Sequence, residues 1–159
     1  FDLMTEDGVS PYVVEFFADE EDVRMVMQHS ATMIATDGWA FAPYGVLSKS
    51  KTHPRSYGTF PRVLGRYVRE EKVLSLENAI RKMTSFPAQR AGLKDRGLLR
   101  EGNWADIVVF DAERVIDIAT YAEPHQYPVG IGYVMVNGEL VLEQGEHTGR
   151  LPGKVLRRH

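Results

Sequence analysis

Cysteine is missing from all 159 residues. A chain without thiols forms no disulfide and offers no thiolate to a metal. The lack fits a reducing compartment, and the cytoplasm is the expected location. No apolar run reaches the ~18 residues that mark a spanning helix, so no membrane partner is expected. The opening residues Phe1-Asp2-Leu3-Met4 lack the basic and then apolar segments of a secretory leader. They also do not start on methionine, which suggests a chain that begins inside a longer protein. A basic excess is missing as well: 19 Lys and Arg stand against 22 Asp and Glu, for a net charge of −3. Phosphate-binding proteins carry a clear positive excess, so no nucleic-acid partner is expected. The short basic end, residues 154–159, reads as a solvated tail.

What is present is ordinary globular material, 43% hydrophobic, enough to build a core. Residues 12–17 are a short apolar run of β-formers and predict a buried strand. Asp19 precedes Glu20, Glu21 and Asp22, a cap with acids in the first turn, and predicts a helix to about Gln28 with Val23, Val26 and Met27 on one face. Residues 31–36 predict a second buried strand that stops at the turn Asp37-Gly38. Strand, helix, strand in this order is a parallel βαβ unit. A long loop rich in Gly, Pro, Ser and aromatics is expected from Asp37 to about Pro61, and loops of that length are often functional.

Beyond it, Val63, Leu64, Tyr67 and Val68 predict a short helix that Arg62 begins. Ser75 predicts the cap of a stronger one, with Leu76, Ala79, Ile80 and Met83 on its apolar face. A helical turn over residues 88–91 follows, closed by Gly92. From Gly97 the pattern becomes β-rich. Residues 105–110 predict a buried strand, and Asn137-Gly138 between two apolar runs predicts a hairpin. The expected fold class is α/β, with a boundary near Arg96.

Taken alone, Asp37-Gly38 reads as a turn, Arg55 as a surface arginine and His53 as a structural histidine. Set together, the residues say more. The run His53-Pro54-Arg55-Ser56-Tyr57-Gly58-Thr59-Phe60-Pro61-Arg62 resembles a signature of the D-aminoacylases and related N-acyl-D-amino-acid deacylases of the amidohydrolase superfamily. Thr36-Asp37-Gly38 resembles that family's Ser-Asp-Gly at the end of its last barrel strand. Lys82-Met83-Thr84-Ser85, Pro87-Ala88, Ala105-Asp106, Val108-Val109-Phe110-Asp111, Pro124-His125-Gln126-Tyr127-Pro128 and Val136-Asn137-Gly138 continue the likeness in order.

The resemblance implies that residues 1–96 are the last strands and helices of a (β/α)8 metal-dependent hydrolase barrel. Residues 97–159 would then be part of a small β-sandwich built from both ends of a longer chain. It implies one or two divalent metals, usually zinc, and hydrolysis of the amide bond of an N-acyl-D-amino acid to a carboxylate and a D-amino acid. Asp37 would be the catalytic acid/base and a metal contact. Arg55 would bind the substrate's α-carboxylate, which a guanidinium grips through parallel hydrogen bonds. His53 would line the substrate pocket or shape its loop. The family's histidine and cysteine ligands lie upstream of this chain. The missing N-terminal part of the enzyme is therefore the expected partner, the chain alone is expected to be inactive, and its open strand edges favour self-association. His125, between prolines, reads as part of a rigid connector against the β-rich unit, and His29, His147 and His159 as surface positions. Two other readings stand beside this one. Hydantoinase- or dihydroorotase-like enzymes share the barrel, the aspartate and the β unit but not the His-Pro-Arg loop. A non-catalytic module is the third reading.

Overall fold

A computed structural model of the chain describes residue 15 and residues 17–157. Helix α1 (Glu20–Gln28) starts where the acids predict, with the Asp19 carboxylate accepting from the Glu21 amide at 2.7 Å. Val23 and Met27 turn to the core, while Val26 stays exposed. The strand expected over residues 12–17 lies outside the described residues except for Glu15 and Phe17, and Phe17 is exposed.

Ala31 lies in a turn and residues 32–36 form no ladder, which corrects the expected strand. The alternation survives: Ile34 packs on the core while Met33 is exposed. What is lacking is a neighbouring strand among the described residues, and backbone without one is not a sheet. The Ile34 amide instead donates to the carbonyl of Lys82 at 3.2 Å. No βαβ unit forms among the described residues.

The expected loop to Pro61 ends early, because helix α2 spans Arg55–Arg62. It runs without a break into a π-helical stretch, Val63–Glu70, whose last bond joins the Glu71 amide to the Arg66 carbonyl at 2.8 Å. Pro61 removes one amide from the ladder just before the register widens. Arg62 is therefore inside a continuous helix rather than at the start of one. Helix α3 (Leu76–Met83) has the predicted Ser75 cap, which accepts from the Asn78 amide at 3.2 Å. Helix α4 (Ser85–Ala91) starts before the predicted turn and ends, as expected, on Gly92 in the left-handed conformation. No helix among the described residues is long and apolar enough to cross a membrane.

The sheet is antiparallel, in the order β1 (Ile107–Phe110), β2 (Ile131–Val136), β3 (Glu139–Glu143), β4 (Glu146–His147). Asn137 and Gly138 both take positive φ, as a tight hairpin requires. Arg96 holds this turn: its guanidinium donates to the Asn137 side-chain oxygen at 2.5 Å, pairs with Asp106 and lies over the Trp104 ring. Strand β1 is not buried as predicted. Val108 and Val109 are half exposed, since no described layer covers them.

The core joins helix and sheet. Val63, Leu64, Tyr67, Leu74 and Ala79 pack with Val115, and Phe110 and Ile131 close on them. Gly65 permits this contact, because a Cβ there would stand 2.5 Å from the Val115 carbonyl. Lys82 is wholly buried and donates to the carbonyls of His29 at 2.5 Å and Thr32 at 3.0 Å and to the Thr32 hydroxyl at 3.1 Å. It thereby ties α3 to the chain that leads into Asp37. The described chain is thus mixed in helix and strand, with a small antiparallel sheet.

Candidate functional site

Asp37 follows the irregular segment 32–36 with φ +46°, a left-handed conformation that aspartate tolerates better than most residues. Gly38 follows because there is no room for a side chain: a Cβ there would lie 2.9 Å from the Ser56 Cα. The turn therefore packs directly on the start of α2. The Thr36 hydroxyl steadies it by accepting from the Gly38 amide at 3.2 Å.

This close approach brings Arg55 onto Asp37. The guanidinium Nη2 lies 2.9 Å from the Asp37 carboxylate, and Nε donates to the Asp37 carbonyl at 3.0 Å. Arg55 is the first residue of α2, not a loop residue as predicted. His53 explains why the helix can start there. Its Nδ1 accepts from the Arg55 amide at 3.0 Å, satisfying a free donor of the first turn as a capping side chain would. Its Nε2 meets the Tyr121 hydroxyl at 3.2 Å. Burial, and after it the Arg55 charge, hold the His53 imidazole below its ordinary pKa against the pull of Asp37. A neutral ring that accepts at Nδ1 carries its proton on Nε2.

All three residues singled out in the sequence are thus brought together. The site is open, with the Asp37 side chain 82% exposed. No described group of three His, Cys, Asp or Glu residues could hold a metal ion. Zinc takes three protein ligands and keeps an open position, so Asp37 could supply only one of them. The described residues do not fit a complete metal centre.

The residues that sequence reasoning missed are Tyr57, Tyr121 and His125. His125 does not pack on the β-rich unit as expected. Its Nδ1 meets the Tyr57 hydroxyl at 2.9 Å, its Nε2 meets the Ser50 carbonyl at 2.7 Å, and its ring stands edge-on to Phe41 and Tyr57. The signal was a histidine between prolines beside tyrosine, but nothing in the linear order showed which surface it would face.

The amidohydrolase family profile matches residues 33–142, which include Asp37, His53, Arg55 and the sheet as far as β3. The chain belongs to the amidohydrolase family. This family member is 46% identical over 145 residues to the N-acyl-D-glutamate deacylase of Alcaligenes xylosoxydans xylosoxydans, covering 91% of this chain and 28% of that protein. Among solved structures, it superimposes on a mutant D-aminoacylase in complex with copper chloride with a TM-score of 0.80 at 42% identity, over 88% of this chain and 28% of the other. It also matches an N-acyl-D-glutamate deacylase from Bordetella bronchiseptica, complexed with zinc and a phosphonate mimic of the tetrahedral intermediate. There the TM-score is 0.76 at 46% identity, over 87% of this chain and 28% of the other. The chain therefore spans a little over a quarter of the length of these relatives.

Proposed function

We propose that this chain is the acid/base and carboxylate-binding part of an N-acyl-D-amino-acid deacylase. The observation that carries this reading is the contact of Asp37 with Arg55 at a turn that Gly38 seats on helix α2. The reading is supported by relatives named as deacylases of N-acyl-D-amino acids. In it, residues 1–96 complete a (β/α)8 barrel and residues 97–159 contribute to a β-sandwich. Residues 31–36, with their alternating burial, then become the barrel strand that ends on Asp37, where barrels place their catalytic groups.

Each side chain has a chemical task. Arg55 binds the α-carboxylate of the substrate. An exposed ion pair is worth about 0–1 kcal/mol, so exchanging the Asp37 carboxylate for the substrate's costs little. The exchange frees Asp37 to accept a proton from the attacking water. As the C–O bond forms and the amide C–N bond breaks, Asp37 returns that proton to the leaving nitrogen. His53, neutral and fixed by Arg55 and Tyr121, holds the start of α2 and lines the approach to Arg55. Zinc, with Asp37 as one ligand and the others from the rest of the enzyme, would supply Lewis acidity toward the carbonyl and the water.

The test uses the full-length enzyme with zinc and paired N-acetyl-D- and N-acetyl-L-amino acids. Release of free D-amino acid is the expected result. Opening of dihydroorotate or hydantoin, with no release from the N-acetyl-D-amino acids, would replace this reading with the cyclic-amide one.

A further inference from the structure

Residues 117–128 form no helix or strand, yet they leave and rejoin the fold at one antiparallel bridge, Ile116 to Val129. This is an Ω-shaped loop, and it is stapled internally. The Gln126 side-chain Nε2 donates to the carbonyls of Ile118 at 3.1 Å and Glu123 at 2.9 Å, and the Thr120 main-chain amide donates to the Glu123 carbonyl at 3.1 Å. Pro124 is buried beside them. Such a loop is rigid without being regular.

Its outer side grips the segment that carries Arg55. Lys51 donates to the Ala122 carbonyl at 3.0 Å, and the Tyr121 hydroxyl meets His53 Nε2 at 3.2 Å. His125 bridges the two ends of the segment, meeting the Ser50 carbonyl at 2.7 Å on one nitrogen and the Tyr57 hydroxyl at 2.9 Å on the other. A carbonyl only accepts, so Nε2 carries the proton, Nδ1 is the acceptor, and the Tyr57 hydroxyl donates. Burial, and then the neighbouring Tyr127 and Tyr44, push the Tyr57 phenol above its ordinary range, which keeps that proton in place. The Tyr57 ring also packs edge-on to Tyr127.

We infer that residues 117–128 are a clasp that sets the position of Arg55, and that His125 is its positioning residue, acting through Tyr57 and Ser50. Arg55 lies between these two held points. Its reach toward a substrate carboxylate is therefore fixed from a part of the chain far away in sequence. Chain stability alone would not require one histidine to use both nitrogens on opposite ends of the same short segment. The inference rests on Arg55 as the carboxylate-binding group.

The experiment is steady-state kinetics of the full-length zinc enzyme on an N-acetyl-D-amino acid that it turns over. Loss of positioned binding, with the acid/base untouched, is read as a rise in KM with kcat little changed. His125→Ala should raise KM by about tenfold or more, because small misplacements of a binding group have large kinetic effects. His125→Gln, with an acceptor and a donor on one planar group, should restore most of the loss. Tyr57→Phe, which removes only the hydroxyl, should move KM in the same direction and decides the matter if His125→Ala does not fold. A fall in kcat at constant KM, an unchanged KM in Tyr57→Phe, or a Gln variant no better than Ala would overturn the clasp. Arg55→Met serves as the reference: if it leaves KM unchanged, the carboxylate role of Arg55 fails first and the clasp with it.

Discussion

The guanidinium of Arg55 meets Asp37 twice, on the carboxylate at 2.9 Å and on the main-chain carbonyl at 3.0 Å. The first contact is an exposed ion pair and easily exchanged, whereas the second holds the arginine beside the turn whatever occupies the carboxylate. A substrate carboxylate can therefore displace one contact without releasing the other.

Arg55→Met should for that reason weaken use of substrates with a free α-carboxylate by about 2–4 kcal/mol in kcat/KM. The comparison is an N-acyl amine of the same acyl group, assayed with the same full-length enzyme. It should respond little. Equal losses on both compounds would show that Arg55 does not read the carboxylate.

Much of this arrangement was legible in the sequence, for reasons that can be named. The Ser75 and Asp19 caps and the Asn137-Gly138 hairpin are set by contacts within a few residues, so the local pattern determined them. The cluster of Asp37, His53 and Arg55 was legible through the family motif. The strand at residues 31–36 was not realised because a ladder needs a partner, and the described chain provides none. Helix α2 was hidden by its start. Pro54, its N-cap, offers no side-chain cap, the Arg55 amide is met instead by His53 one residue earlier, and Gly58 and Pro61 lie within the helix. The grip of His125 on Ser50 and Tyr57 joins residues far apart in the chain, and periodicity carries no such information.

His53 gives a prediction about pH. Its folded pKa is lowered, by burial first, below the ordinary value of about 6.5. A group with a depressed folded pKa contributes stability above its unfolded value and loses it as pH falls through the folded one. Protonation at Nδ1 would also end its acceptance of the Arg55 amide. An NMR titration of the imidazole should give a midpoint below 6.5, with the Arg55 amide signal moving along the same curve. A midpoint at or above the ordinary value would mean that the ring is not the half-buried neutral acceptor of the Arg55 amide.

Lys82 gives a prediction about stability. Lys82→Met keeps much of the buried volume but removes the donor from the Thr32 carbonyl, while the His29 carbonyl keeps the Thr32 amide and hydroxyl. Loss of these charge-assisted hydrogen bonds should cost about 1–3 kcal/mol. Denaturant unfolding of the purified variant measures this against the parent chain. A difference within about 0.5 kcal/mol, the range of ordinary surface substitutions, would remove Lys82 as the tether of residues 29–32.

The most direct test of the central claim is the turnover number of Asp37→Asn in the full-length zinc enzyme. Asparagine tolerates the left-handed backbone that Asp37 adopts at φ +46°, so the turn should keep its shape. It cannot carry a proton between water and the leaving nitrogen. The predicted result is a fall in kcat of about 10²–10⁴-fold with folding and KM for the N-acetyl-D-amino acid retained. A kcat close to that of the parent enzyme would contradict the account and take Asp37 out of the chemistry.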